Sequence, residues 1–391
     1  MFRSFRIVLP ALAVVVLGAC TPVQPPAART EHYDDFGTPV GGTQVPQGGD
    51  LVMGLSSEPD RLDPTTSSSL YTRYVMSAIC EKLYDLDSSG TIVPQLATEL
   101  PTISADGLTV TIGVRTGIAF ADGTPFDANA VRASLERHLT HPESQRASEM
   151  GPITSITVTD PSHVVIQYER PFAPITAALA DRAGMIMSPA ALTDDFGDNP
   201  VCVGPFKFVE RVPQTAITVA RDPRYYDAAN VHLDTITYRI MSDANIRAAN
   251  LRSGDIQVAD TISPQDVDAL AQEDDLRVLQ SPSLGYRAIT INVGNVDGAG
   301  EPAKPIDTPL AKDARVRLAF SHAIDRQTLV DTVFNNWFEP ACSPIAPQTP
   351  YASRASNACP AFDPAKSPTT GTIRLFVSII FSPRNASSLD R

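Results

Sequence analysis

The stretch from Leu100 to Leu139 constrains the fold more than any other part of this chain. Residues 108–114 alternate apolar and small polar side chains, a pattern that predicts a half-buried β-strand. The run Asp122–Pro125 predicts a turn, and Asp127 after it is a typical N-cap for a helix. The stretch therefore predicts a strand, a turn and a helix within an α/β domain.

The identity and order of the residues in this stretch are more informative about its family than its alternation of apolar and polar side chains. Arg115, Gly117, the run Phe120–Phe126 (FADGTPF) and the run Ser134–Arg137 (SLER) closely resemble the signature segment of the family 5 extracellular solute-binding proteins. These proteins are the receptors of oligopeptide, dipeptide and nickel ABC importers. The resemblance covers about Asp50–Lys366 and also includes Glu81–Asp85, Val203–Val209 and Asp313–Arg326.

The resemblance implies an α/β fold of the type II periplasmic-binding-protein kind, with two lobes and mixed sheets. It implies a receptor that captures peptides or a similar small solute and presents them to ABC permease subunits. In that family the signature segment is a structural fingerprint and not the ligand pocket, so it identifies the fold and leaves the ligand open among peptides, nickel complexes, sugars and opines. We expect a monomer.

The residues themselves carry no catalytic signature. The sequence contains no Gly-x-Ser-x-Gly elbow, His-Glu-x-x-His helix, P-loop or Cys-x-x-Cys pair. Its six histidines are scattered singly, and the neighbours His138 and His141 lie at a predicted helix end. The net charge of -13 argues against a phosphate-backbone partner. We therefore predict no enzyme, no cofactor, no metal site and no nucleic-acid partner.

Four side chains are candidates for lining the solute cleft. Glu58 and Asp60 lie on the first loop of the first lobe, which in the resembled family runs along the cleft. Tyr71 and Tyr74 open the next predicted helix and offer an apolar face with a polar tip. The alternative for each pair is structural, with the tyrosines in the core and the acids solvating the loop.

The five cysteines divide into one lipid candidate and an even remainder. Cys342 and Cys359 flank a proline-rich loop, and an exported chain would meet oxidising conditions, so we predict that they pair. Cys80 and Cys202 form a second candidate pair, with free buried thiols as the alternative.

Residues 1–20 have the pattern of a lipoprotein signal peptide. Arg3 and Arg6 precede the apolar run Ile7–Leu17, and small residues lead to Cys20, as in a bacterial lipobox. We predict that Cys20 is lipidated and anchors the protein at the extracytoplasmic face of the cell membrane. The alternative is an ordinary cleaved signal peptide with Cys20 incidental. Residues 21–49 are rich in Pro, Gly, Thr and Gln, which predicts a flexible linker.

The predicted domains follow the resemblance. Residues 50–282 form the first lobe, with an inserted subdomain at about 64–190, and residues 283–391 form a partial second lobe. Several predicted elements can be compared with a structure: helices over Tyr71–Leu83 and Asp313–Ile324, a helix ending at Gly254, a helix opened by Ser263-Pro264, and strands over Tyr286–Val293 and Ile373–Phe381.

The resemblance fails after Lys366, where the family continues through a helix. We therefore expect an incomplete second lobe, and two functional hypotheses stay open. The first is a lipid-anchored solute receptor of an ABC importer. The alternative is a truncated, ligand-incompetent lipoprotein, or a surface protein with a macromolecular partner.

Overall fold

The structure is a computed structural model, and its chain divides into two compact units, the first ending at Ser281 and the second beginning at Pro282. The inserted subdomain and the lobe boundaries stay predictions. The predicted signal peptide, most of the linker and the predicted strand Ile373–Phe381 lie outside the described residues. The structure describes residues 45–87, 90–280, 285–298, 301–346 and 352–366.

The described residues of the first unit form three sheets. Their strands are β1 (Asp50–Leu55), β2 (Tyr84–Leu86), β3 (Ile92–Pro94), β4 (Thr102–Ile103), β5 (Thr109–Gly113), β6 (Ile153–Asp160), β7 (His163–Tyr168), β8 (Phe206–Val212), β9 (Ala216–Arg221), β10 (Thr235–Ile240) and β11 (Val258–Ala259). A mixed five-stranded sheet has the order β11-β1-β10-β9-β8, an antiparallel sheet has the order β4-β5-β7-β6, and β2 pairs with β3. In the mixed sheet, β1 runs parallel to both β10 and β11, whereas β9 runs antiparallel to β10 and β8.

The helices divide between the two units. Three predicted caps are confirmed. Asp127 accepts from the amides of Asn129 and Ala130 at 2.8 and 3.1 Å. Asp325 caps the helix that begins at Arg326, and Gly254 ends the helix that begins at Ala244, with φ of 78°. The first unit holds α1 (Leu70–Ile79), α2 (Ala128–Thr140), α3 (Ile175–Ala178), α4 (Ala244–Ser253) and α5 (Val267–Leu270); the second holds α6 (Pro309–Lys312), α7 (Ala314–His322) and α8 (Arg326–Thr332).

Two hydrophobic clusters stabilise the first unit. In one cluster, α2 packs Val131 and Leu135 against the sheet that contains β5 and β7. In the other, α1 packs Val75, Met76 and Ile79 against the five-stranded sheet. Full burial of each aliphatic side chain contributes about 1.5–3 kcal/mol, so these two helices are fixed mainly by their apolar faces.

The helix predicted over Tyr71–Leu83 ends earlier, at Ile79. After the helix ends, the amide of Glu81 donates to the carbonyl of Val203 at 2.7 Å. This amide, which the sequence pattern predicts to be bonded within the helix, is therefore bonded to a residue that is distant in sequence. Likewise, the helix predicted over Asp313–Ile324 is shorter and spans α7, with Asp313 as its N-cap.

Two further predictions are wrong. The helix expected from Ser263-Pro264 begins only at Val267, because the amide of Asp266 donates to the Ser263 carbonyl and closes a turn first. Residues 286–293 do not form a strand. The sequence there alternates as in a strand, but a strand also needs a hydrogen-bonded neighbouring strand. The side chains of Tyr286 and Ile289 are not packed in a core, since they are 59% and 65% exposed.

Candidate functional site at the carboxyl edge of the parallel strands

The carboxyl ends of β1 and β11 meet at one edge of the five-stranded sheet. Ser56 follows β1 and Asp260 follows β11. The Ser56 amide donates to Oδ1 of Asp260 at 3.0 Å, and the Ser56 hydroxyl donates to Oδ2 at 2.7 Å. In open α/β sheets, ligands bind in the crevice outside the carboxyl ends of the strands, so this edge is the candidate site.

Arg247, from α4, supports Asp260 from inside the protein. Its Nε lies 3.8 Å from Oδ1 of Asp260, and the exposed fractions of the two side chains are 3% and 0%. The guanidinium also donates to the carbonyls of Met241 and Thr261. A buried ion pair is stable only when its remaining hydrogen-bonding groups are satisfied, and these carbonyls supply that for Arg247. Asp260 is therefore held in one position.

Tyr71 and Tyr74, on the first turns of α1, add aromatic side chains to this edge. The hydroxyls of Tyr71 and Ser56 lie 2.9 Å apart, and the two tyrosine rings pack edge to face with centroids 6.1 Å apart. Both side chains are half-buried. Burial raises the pKa of Tyr74, and the negative charge of Asp260 raises it further. The edge thus offers the neutral hydroxyl of Tyr74, together with the aromatic rings of both tyrosines.

Asp60, one of the four predicted residues, organises the loop before α1. Its carboxylate accepts from the amides of Ser68 and Ser69 at 2.8 and 3.2 Å and from the hydroxyls of Ser67 and Thr72 at 2.5 and 2.9 Å. Partial burial acts to raise the pKa of Asp60, but these hydrogen bonds outweigh it and hold the pKa below its usual value. Asp60 is therefore ionised and engaged with its own loop.

Glu58 is engaged with a different part of the first unit. Its Oε1 accepts from Nη2 and Nε of Arg211 at 2.7 and 3.0 Å, and its Oε2 accepts from the amide of Gln214 at 3.1 Å. Gln214 lies in the turn between β8 and β9, where its φ is 58°. Glu58 thus ties the loop after β1 to that turn.

Two buried arginines also hold the loop before α1. Arg182 donates to the carbonyls of Ser67 and Ser69 at 3.2 and 3.1 Å, and Arg146 donates to the Ser67 carbonyl at 3.1 Å. The Asp60 carboxylate accepts hydrogen bonds from the amides of this loop, and the arginines donate hydrogen bonds to its carbonyls. The start of α1, and with it Tyr71, is consequently fixed.

The sequence did not predict the roles of Ser56, Asp260, Arg146, Arg182, Arg211 or Arg247. Ser56 and Asp260 are 204 residues apart, and Arg182 is 115 residues from Ser67. Arg247 acts over a shorter separation, 14 residues to Thr261, but from a different element. Only Asp260 could have been recognised from its sequence neighbours, because it is an acidic residue directly after a short apolar strand. Within the described part of the chain, no cluster of His, Cys, Asp or Glu could hold a metal ion, and no helix is long and apolar enough to cross a bilayer.

Both predicted cysteine pairs lie within bonding distance. Cys80 and Cys202 are joined with their Cα atoms 4.9 Å apart, and Cys342 and Cys359 are joined at 5.2 Å. The first bridge links the end of α1 to the segment before β8. Cys20 lies outside the described residues.

Comparison with known families decides the identity of the fold. Residues 91–369 match the family of bacterial extracellular solute-binding proteins, family 5 (middle region), over more than half of the chain. The chain belongs to this family. The family consists of solute-binding receptors, and its fold is the type II periplasmic-binding-protein fold predicted from the sequence.

Two curated relatives of this family member are glutathione-binding proteins GsiB. The protein from Salmonella paratyphi A is 34% identical over 322 residues, which are 81% of this chain and 60% of that protein. The protein from Pectobacterium atrosepticum is 30% identical over 351 residues, which are 88% and 65%. The chain thus spans about three fifths of the length of the curated relatives it matches.

Solved structures show the same fold. AgaA from A. tumefaciens R10, in complex with agropinic acid, has a TM-score of 0.67 at 27% identity, over 82% of this chain and 63% of that one. AppA from Bacillus subtilis, in complex with a nonapeptide, has a TM-score of 0.72 at 22% identity, over 83% and 63%.

Proposed function

We propose that this chain carries the solute-binding function of an ABC importer receptor and that its solute is a short peptide of the size of glutathione. The observation that carries the proposal is the 34% identity, over 81% of the chain, to a glutathione-binding protein. Glutathione is a tripeptide with free carboxylates, an amine and a thiol. Peptide-bond N–H and C=O groups need hydrogen-bond partners when they leave water.

The proposed contact groups are the hydroxyls and rings at the carboxyl edge of the parallel strands. Tyr71, Tyr74 and Ser56 offer polar groups that accept or donate, beside aromatic surface that covers an apolar side chain. Glu58 and Asp60 have a different proposed role. Their carboxylates accept from Arg211 and from the loop amides, so they hold the loop that positions α1.

The proposed partners follow from the family. We infer that the whole protein works as a monomer at the extracytoplasmic face of the membrane and presents its solute to the permease subunits of an ABC importer. The sequence around Cys20 supports a lipid anchor there. Cys20→Ala should move the protein from the membrane fraction to the soluble extracytoplasmic fraction and abolish labelling by a fatty-acid probe. Unchanged membrane fractionation would exclude this anchor.

Mass spectrometry of the solute that co-purifies with the protein tests the proposed ligand class. Because the chain spans about three fifths of its relatives, the measurement includes a chimera in which the Salmonella relative supplies the remaining family length after Lys366. A peptide released on denaturation supports the proposal. A nickel complex or a sugar contradicts it, and no solute from either protein favours the ligand-incompetent alternative.

A further inference from the structure

The chain that leads into β1 is held by the chain that leads into β10. The Gly48 amide donates to the carbonyl of His232 at 2.7 Å, and the Gly49 amide donates to Oδ2 of Asp234 at 3.1 Å. The Asp234 amide donates in return to the carbonyl of Gly49 at 2.8 Å. Gly49 and Asp234 are 185 residues apart, so it is the tertiary structure that fixes the chain here.

The Gln47 side chain adds two further contacts. Its Nε2 lies 2.9 Å from Nδ1 of His232, and its Oε1 accepts from Nη1 of Arg221 at 3.2 Å. Arg221 also pairs with Asp234, whose carboxylate accepts from Gly49. We call residues 47–49 the entry segment. Each of its three residues is therefore bonded to the end of β9 or to the chain just before β10.

The entry segment needs glycine for its backbone shape. Gly48 and Gly49 have φ of 94° and 97°, a region that residues with a Cβ rarely adopt. A Cβ added at Gly49 would meet no atom within 4 Å, so the backbone conformation alone favours glycine there. Glycines in a linker commonly supply flexibility, whereas these two allow one defined path of the chain.

The entry segment and the candidate solute site lie at opposite ends of β1. The segment directly precedes the amino end of β1, and Ser56 directly follows its carboxyl end. The strand has six residues and rises about 3.3 Å per residue, so about 20 Å separate its two ends.

We propose that the entry segment is a fixed attachment point, at which the N-terminal part of the chain joins the first unit at the amino edge of the five-stranded sheet. The flexible linker then ends before Gln47. A membrane attachment on the N-terminal side would thus join the first unit about 20 Å from the edge that is proposed to bind solute. This last step rests on the proposed function, whereas the attachment point itself does not.

Hydrogen exchange of the full chain, resolved to single amides, tests the proposal without solute or membrane. In the parent protein the amides of Gly48, Gly49 and Asp234 should exchange at least about tenfold more slowly than in a random coil, because each is hydrogen-bonded. Gly49→Ala should lower this protection about tenfold at all three, since alanine is strained at that φ. Gly294→Ala is the matched control and should leave it unchanged, because a Cβ there also meets open space and its φ lies outside that region.

A second variant and an internal reference make the test specific. Gln47→Ala keeps both glycines and should lower the same protection only about threefold. The Ser56 amide, which donates to Asp260 beyond the other end of β1, should keep its protection in every variant. A loss confined to the entry segment and Asp234 supports the proposal, whether or not the protein binds glutathione.

Three results would overturn the proposal. The first is exchange of Gly48 and Gly49 at random-coil rates in the parent protein. The second is protection that neither Gly49→Ala nor Gln47→Ala lowers, or that Gly294→Ala lowers equally. The third is a loss that extends to Ser56, because the entry segment would then not be separable from the strand that follows it.

Discussion

Ser56 Oγ donates a 2.7 Å hydrogen bond to Oδ2 of Asp260 and so joins the carboxyl ends of two neighbouring parallel strands. The Asp260 carboxylate also lies 3.8 Å from Nε of the buried Arg247. One carboxylate therefore links β1, β11 and α4 directly behind the proposed solute site.

Asp260→Ala should destabilise the first unit by about 3 kcal/mol, because it leaves the Arg247 charge buried without its partner. Urea unfolding measures the change. Glu143→Ala is the control, since the pair it forms with Arg61 is half-exposed and is worth less than about 1 kcal/mol. An equal effect of both substitutions would show that Asp260 is not a structural link.

The buried His138 should make the protein sensitive to mild acid. Burial lowers the pKa of His138 to about 3; the Asp63 carboxylate opposes this shift, and Arg137 and Arg146 add to it. The unfolded state takes up a proton near the ordinary pKa of 6.5, whereas the folded state does not, so stability falls as the pH drops below about 6.5.

Between pH 7 and pH 5 this difference costs about 2 kcal/mol of unfolding free energy. His138→Gln should therefore flatten the pH dependence measured by urea unfolding over that range. Asn129→Ala, at an exposed position of the same helix, removes no titratable group, so it is the matched control and should leave the slope as it is. A His138→Gln variant with an unaltered slope would contradict the argument.

Gly204 lies against the end of α1. A Cβ added there would overlap the carbonyl of Ile79, which is main chain and cannot rotate away. Gly204→Ala should cost about 3 kcal/mol, seen as a lower midpoint of thermal unfolding. Gly294→Ala, where a Cβ meets open space, should be nearly neutral. A stable Gly204→Ala protein would mean that the segment before β8 tolerates displacement.

Both cysteine pairings can be tested by non-reducing peptide mapping. The map should recover one fragment pair that joins Cys80 to Cys202 and another that joins Cys342 to Cys359. Their sequence separations are 122 and 17, so loop-closure entropy assigns about 5 kcal/mol to the first bridge and about 3 kcal/mol to the second. Free alkylation of any of the four thiols without reductant would exclude its bridge.

Sequence reasoning succeeded where the physical cause is local. The Asp127 cap and the Gly254 stop each depend on residues within one helical turn, and both are confirmed. It failed where a distant partner decides. Residues 286–293 alternate as a strand does, yet alternation cannot supply the neighbour that a strand needs.

The candidate site was predicted only in part, for the same reason. Tyr71 and Tyr74 were predicted because a tyrosine offers an apolar face with a polar tip, and their role in binding stays a prediction. Ser56 and Asp260 were missed because only the folded sheet brings residues 204 positions apart into contact. Glu58 and Asp60 could be recognised as acidic residues of a loop, but their partners could not. Glu58 pairs with Arg211, which is distant in sequence, and Asp60 accepts from loop amides whose positions depend on how the loop folds.

Calorimetric titration with reduced glutathione, on the chain and on the chimera of full family length, tests the central claim most directly. The account predicts binding by the chimera, weakened about fivefold by Tyr71→Phe because one hydroxyl is lost. Binding should be unchanged by Tyr168→Phe, since Tyr168 lies on β7 of the four-stranded sheet and its hydroxyl donates to the Met150 carbonyl. If neither protein binds glutathione or another short peptide, or if Tyr71→Phe binds as tightly as the parent, the proposed solute site is contradicted.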